Sequence, residues 1–318
     1  MGDSGKRVIL AAPRGYCAGV DRAVEMVERA LDKLGAPVYV RKEIVHNRHV
    51  VSELEKRGAV FVDSEADIPA GAVCIFSAHG VSPEVRRAAA AKDLRVIDAT
   101  CPLVTKVHLE AKRFARDGRR IVLVGHEGHE EIEGTAGEAP ERTVVVESVE
   151  QIDRLGLAPD ERVAYLTQTT LSVDDTIEVV EALRDRFGDL SGPHRNDICY
   201  ATQNRQVAVK AIAPDSDVVL IVGALNSSNS NRMVEVARKE GVPAYLVPDE
   251  SQLDPAWLEG ARSVGVSSGA SAPEVLVDRL LKRLADLGFD RVETREVTQE
   301  DVTFSLPPWL RAEESAAT

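Results

Sequence analysis

Positive charge is in deficit. Lys and Arg number 39 against 52 Asp and Glu, which leaves a net charge of −13 over 318 residues. Nucleic acid or an anionic membrane surface needs a basic face, so neither is an expected partner. A small anion held in a local pocket is not excluded by that balance. Long apolar runs are missing as well. None approaches the roughly 20 residues of a membrane span, and the opening stretch MGDSGKRVILAAP carries no signal-peptide core. A cytoplasmic location is therefore expected. Aromatic residues make up only 4%, beside 44% hydrophobic residues, an ordinary soluble composition. Cysteine is sparse: Cys17, Cys74, Cys101 and Cys199. Four in this length are too few for a disulfide scaffold, and no C-x-x-C pair offers a local zinc or dithiol site.

What the chain does have is alternation. Short β-branched apolar runs read as strands at 7–12, 37–42, 72–78, 94–99, 120–125, 143–148, 162–167, 217–223, 244–248 and 263–268. Runs of this kind, apolar throughout, suit parallel strands covered on both faces. Amphipathic segments at 20–35, 173–188 and 273–288 read as helices. The first places Val24, Val27 and Leu31 on one face and stops at Gly35. The expected class is α/β.

The alternation is also periodic. AVCIFSAHGVSPEV (72–85), VAYLTQTTLSVDDT (163–176) and SVGVSSGASAPEVL (263–276) each read as strand, small polar loop, acidic helix start. Cys17, Cys101 and Cys199 each end a strand and loop and precede a helix, in GYCAGV, ATCPLV and DICYAT. About 28 residues after each cysteine comes a second polar loop, at His46, His129 and Ser227. Recurrence of three features at matched spacing predicts three similar αβ domains with pseudo-threefold symmetry around a central site. The expected boundaries are 14–100, 101–196 and 197–286. Segments 1–13 and 287–318 would pack on these domains, the C-terminal tail in part disordered. Cys74 lies outside the register, inside an apolar strand, and reads as a core residue.

Loops that follow parallel strands are where α/β folds bind ligands. Three such units around one axis would bring Cys17, Cys101 and Cys199 together. Three thiolates with no fourth suit zinc or an iron–sulfur cluster, with one metal position open for chemistry. The other loops supply His46, His79, His129, Thr169, Ser227, Ser228, Asn229 and Ser271. Imidazoles, hydroxyls and helix N-termini suit a phosphate. With few Lys and Arg in these loops, the histidines are expected to carry the positive charge. His49, His108, His126 and His194 read as surface or internally satisfied residues. In GHEGHEEIEG (125–134), His126 and His129 stand three apart, which is wrong for a zincin helix. A carboxylate brought in beside His129 is a candidate proton donor. Glu127, Glu130 and Glu133 read as a solvated acidic first turn.

Several long motifs together carry a resemblance. PRGYCAGVDRAV (13–24), VHN (45–47), FSAHGVSP (76–83), DATCPLVTKVH (98–108), GHEGHEEIEG, TQTTLSVDD (167–175), DICYATQNRQ (197–206), NSSNSNR (226–232) and GASAPE (269–274) resemble the LytB/IspH family. The resemblance implies reduction of (E)-4-hydroxy-3-methylbut-2-enyl diphosphate to isopentenyl and dimethylallyl diphosphate, the last step of the non-mevalonate isoprenoid pathway. It implies a [4Fe-4S] cluster on Cys17, Cys101 and Cys199, with one open iron whose loss would leave a [3Fe-4S] form. By the same resemblance His46, His79, His129, Ser227, Ser228, Asn229 and Ser271 bind the diphosphate. Glu131 supplies a proton with Thr169, which also touches substrate, and a ferredoxin or flavodoxin supplies electrons. Two other classes compete. One is a zinc-dependent hydrolase or lyase acting on a diphosphate through the same three cysteines. The other is a non-catalytic redox sensor, which would need neither Glu131 nor the full polar set.

Overall fold

Among the described residues, thirteen strands fall into three separate, wholly parallel sheets. A computed structural model describes residues 5–311. Strand β1 (Arg7–Ala12) leads through helix α1 (Ala18–Leu34) to the sheet formed by β2 (Val38–Arg41), β3 (Ala59–Val62), β4 (Val73–Phe76) and β5 (Arg95–Asp98). Helices α2 (Arg48–Lys56) and α3 (Pro83–Ala91) are the crossovers of that sheet. Helix α4 (Pro102–Arg116) leads to β6 (Arg120–Val124), β7 (Thr143–Val146), β8 (Arg162–Thr167) and β9 (Asp189–Ser191), with α5 (Glu130–Ala136) and α6 (Val173–Arg186) between strands. Helix α7 (Tyr200–Ile212) leads to β10 (Val218–Val222), α8 (Ser228–Lys239), β11 (Ala244–Val247), β12 (Ser263–Ser268), α9 (Glu274–Asp286) and β13 (Arg291–Glu296).

The strand orders are β3-β2-β4-β5, β7-β6-β8-β9 and β11-β10-β12-β1-β13. In each sheet the first strand of the unit lies beside the third, and the second lies outside the first. The order thus reverses between the first and third strands, which creates a crevice at their carboxyl ends. The N-terminal strand β1 takes the fourth place in the third sheet, paired to β12 and β13. Each cysteine then has one address. Cys17, Cys101 and Cys199 follow the fourth-place strands β1, β5 and β9, and each is the residue before a helix.

Both faces of each sheet are covered, as continuous apolar strands require. In the first sheet Val38, Val40 and Ile75 face one core cluster, while Cys74 and Phe76 face another. In the second, Val122 and Val124 oppose Ile121 and Leu123. Cys74 is fully buried there among apolar side chains, as its position in the strand implied. All ten expected strands form. Three further strands form that were not expected, one of them, β3, a four-residue apolar run, AVFV. β3 and β9 are short edges, and β13, RVETRE, is a charged edge strand that keeps mostly exposed side chains. Leu310 is buried against the first core, and the Lys33 ammonium donates to the Trp309 and Arg311 carbonyls. The remainder of the expected disordered tail, 312–318, lies outside the described residues.

A candidate metal and anion site between three sheets

Cys17, Cys101 and Cys199 occupy the N-cap positions of α1, α4 and α7. A helix start presents unpaired N–H groups and a partial positive charge, which suit a sulfur anion. Thr202 N–H donates to Cys199 Sγ at 3.3 Å, and Thr202 Oγ1 lies 3.1 Å from the same sulfur. Burial, together with the neighbouring cysteines, pushes the Cys101 thiol up to about 12 and the Cys199 thiol to about 11. Without a metal those thiols keep their protons, and a metal must displace them.

The space between the sulfurs is kept open by a glycine. A Cβ placed on Gly19 would stand 2.7 Å from Cys101 Sγ and 3.8 Å from Cys17 Sγ. Sulfurs on one tetrahedral zinc lie about 3.8 Å apart, given Zn–S bonds of about 2.3 Å. Among the described residues, the group of three or more donors whose ligand atoms all fall within 4.8 Å is His46, His79 and Glu130, and the three cysteines do not form such a group. Their wider spacing suits a multi-iron cluster held by three soft donors better than a single zinc ion.

The three cysteines line one cavity of about 100 Å³ with His46, His79, His129, Glu131, Thr169, Ser227, Ser228, Asn229 and Ser271. All the residues singled out from the sequence are therefore brought together. The switch-point strands deliver them. His46, His129 and Ser227–Asn229 follow β2, β6 and β10, and His79, Thr169 and Ser271 follow β4, β8 and β12. Ser227 is also the cap of α8, accepting the Ser230 N–H at 3.4 Å. Ser228 Oγ, Asn229 Oδ1 and His79 Nδ1 are buried and without hydrogen-bond partners. Buried polar atoms left unpaired call for a polar ligand. Ser271 Oγ donates to the His46 carbonyl at 2.9 Å and so ties two of the sheets together.

Glu131 is 2% exposed. It accepts the Thr169 N–H at 2.6 Å and the Thr169 hydroxyl at 3.0 Å. Burial lifts its carboxyl to about 7, against the opposing pull of those two bonds. A carboxyl poised there can carry a proton at neutral pH.

Two expectations need correction. Glu130 is not a solvated first-turn residue. It turns inward, where its Oε2 accepts Ser77 Oγ at 3.2 Å and lies 3.4 Å from His79 Nδ1. Nor does the surrounding structure favour positive charge on His46 and His129. Burial, and then repulsion from the other rings, lowers His46 and drives His129 down to about 3. The remaining histidines behave as satisfied groups where partners are seen. His108 is buried against Glu138 at 2.8 Å, and His126 meets Arg232 at 2.6 Å.

One residue of the site escaped the sequence reading. Arg205, fully buried, donates to the carbonyl of Gly15 at 2.6 and 3.2 Å, and to Tyr16 and Ala201 at 3.3 and 2.9 Å. It also pairs with Glu300 at 3.0 Å. It therefore clamps the loop that delivers Cys17 onto the helix that starts at Cys199. Its position in DICYATQNRQ, the sixth residue of α7 in an exposed-looking polar run, gave no such signal.

Fold and site together define an α/β protein whose three sheets bring thiols, imidazoles and hydroxyls together around one cavity. Comparison with known proteins agrees. Residues 8–285 match the family described as LytB protein. The chain is 61% identical to the 4-hydroxy-3-methylbut-2-enyl diphosphate reductase of Nocardia farcinica over 97% of its own length and 92% of that protein's. It is 61% identical to the reductase of the same name from Corynebacterium diphtheriae, over 96% and 92%. Among solved structures, the E-1-hydroxy-2-methyl-but-2-enyl-4-diphosphate reductase of Plasmodium falciparum superposes with a TM-score of 0.93 at 38% identity, over 96% of this chain and 97% of that one. A second structure, described as the terminal enzyme of the non-mevalonate pathway, gives 0.63 at 33% identity, over 88% and 99%. The chain belongs to the LytB family, a family of iron–sulfur enzymes.

Proposed function

We propose that this chain reduces (E)-4-hydroxy-3-methylbut-2-enyl diphosphate to isopentenyl and dimethylallyl diphosphate, at the end of the non-mevalonate route. The observation that carries this reading is one cavity holding three cap cysteines, a buried Glu131 and unpaired polar atoms of Ser228 and Asn229. The reaction consumes two electrons and two protons. One proton leaves with the hydroxyl as water, and the other ends on carbon.

Cys17, Cys101 and Cys199 would hold a [4Fe-4S] cluster, which supplies single electrons and an open iron as a Lewis acid for the hydroxyl. The chain's own residues do the rest. His46, His79, His129, Ser227, Ser228, Asn229 and Ser271 bind and orient the diphosphate, which fixes the hydroxymethyl end toward the cysteines. Glu131 holds the proton on its carboxyl, and the Thr169 hydroxyl, already bonded to it, passes that proton on. Burial of Glu131 excludes water that would otherwise level its acidity. A ferredoxin or flavodoxin delivers the electrons. The domain limits 14–100, 101–196 and 197–286 are kept for the units opened by the cysteine-led helices, with β1 and β13 from the flanking segments completing the third sheet.

An anaerobic assay with the hydroxy-diphosphate and a reduced viologen tests the proposal, the expected result being both isomeric diphosphates. Freshly isolated protein should be brown. Iron content should drop on replacing Cys17, Cys101 or Cys199 and stay unchanged on replacing Cys74. A colourless protein holding one tight zinc would refute it.

A further inference from the structure

The reading of the pocket as a diphosphate site, on which this inference rests, leaves the charge of its three imidazoles unassigned. Their Nδ1 atoms have different partners. Glu43 Oε2 lies 3.0 Å from His46 Nδ1 and accepts Asn226 Nδ2 at 2.9 Å, the longer Asn226 contact to the same ring nitrogen being 3.3 Å. Glu130 Oε2 is anchored by Ser77 and lies 3.4 Å from His79 Nδ1, which has no hydrogen-bond partner. The His46 and His79 rings stack with centroids 4.1 Å apart. His129 sits edge-on to both, at 5.4 and 5.7 Å. As the cap of α5, its Nδ1 accepts the Glu131 N–H at 3.2 Å.

The group bound at Nδ1 decides what Nε2 can offer. A carboxylate takes up the Nδ1 proton. The neutral ring then presents only a lone pair at Nε2, which repels a phosphate oxygen. Nε2 becomes a donor when the ring gains a second proton, and the carboxylate behind it stabilises that imidazolium. At His129 the backbone N–H occupies the Nδ1 lone pair. Its proton is therefore already on Nε2, and the neutral ring can donate without titrating.

We propose that Glu43 and Glu130 are positioning residues that make diphosphate binding draw one proton onto each of His46 and His79, while His129 binds as a neutral donor. Without that role, two carboxylates beside an anion pocket would only repel the ligand. The titratable groups facing these rings are Glu43, Glu130 and His129, with His126 beyond His129. Burial, and then His79, hold His46 below its ordinary value. Glu43, chiefly through His46, stays below its own, and Glu130 does so too, because His79, His46 and Ser77 together overcome the upward push of burial, the largest single cause. A multiply charged anion reverses the balance for the rings.

The test is equilibrium binding of inorganic diphosphate to the anaerobic, iron-loaded enzyme from pH 6 to 8.5, for wild type, Glu43→Gln and Glu130→Gln. The ligand's own ionisation cancels in the ratio of variant to wild-type Kd. That ratio should change with pH by up to about tenfold per unit for each proton uncoupled, each variant weaker at the acid end and no weaker at the alkaline end. Calorimetry in two buffers of different ionisation enthalpy should show proton uptake falling by up to about one in each variant. A ratio flat across pH with unchanged uptake overturns the proposal, because a structural or purely repulsive role predicts that. Should a variant not fold, wild-type uptake decides: none at pH 7.5, corrected for the ligand, also overturns it. No diphosphate binding by wild type would instead sink the reading of the pocket.

Discussion

Gly19→Ala should empty the metal site without unfolding the protein. Gly19 is the second residue of α1, just beyond Cys17, and its backbone is ordinary helix. By propensity alone, alanine in a helix is favoured over glycine by roughly 0.5–1 kcal/mol. The new methyl would nonetheless lie 2.7 Å from Cys101 Sγ, closer than Cβ contacts come. In the metal-free protein Cys101 can escape by turning χ1 to another staggered well, at a cost comparable to the propensity gain. The two terms offset, so the apo melting temperature should move by no more than a few degrees. The cluster has no such escape, because a rotated sulfur no longer points at the shared centre. Iron and sulfide after anaerobic reconstitution should fall from about four per chain toward zero, with loss of the visible absorption. Wild-type iron content in Gly19→Ala would refute the claim that this glycine keeps the thiols' common space open. A large fall in apo stability would show that the methyl is resisted by the fold rather than by the site.

Glu131→Gln should retain iron and lose turnover, and the wild-type rate should fall above about pH 7 as the carboxyl loses its proton. Because burial raises that carboxyl, the folded apo protein binds a proton the unfolded chain releases between about 4.5 and 7. Stability is thus lost as pH rises through that window, and Glu131→Gln should recover it, by about 3 kcal/mol at most. Equal apo melting of variant and wild type at pH 8 would contradict this. Arg205→Gln removes a buried cation from the Gly15 and Tyr16 carbonyls and leaves Glu300 with only the Asn204 amide, at a cost of about 3–5 kcal/mol in denaturant titrations. Unchanged denaturation would show that the clamp is idle.

Much of the site was legible because its residues sit beside strong local signals. Each cysteine falls between a strand and an amphipathic helix, and so each could be placed at a helix start. Cys74 could be set aside because both its neighbours in VCIF point to a core. Glu130 was misread for the converse reason. Its local pattern is an acidic helix start, which is usually solvated, and only the approach of β4's loop places Ser77 and His79 over it. Arg205 and Glu300 stand 95 residues apart and have no shared motif, so their pairing is purely a matter of docking.

By itself the sequence determined the periodic order of strands and helices, the three-plus-one division of the cysteines and the polar loops between them. Those are local properties, set by hydrophobic period, caps and loop chemistry, and each is complete within a few tens of residues. Only the tertiary structure decided that β1 is the fourth-place strand of the third sheet, so that Cys17 reaches the common centre. It also decided which imidazoles face carboxylates and which thiols and carboxyls lose contact with water. These are matters of burial and of distance between segments far apart in the chain, and pKa, donor spacing and tautomer all follow from them.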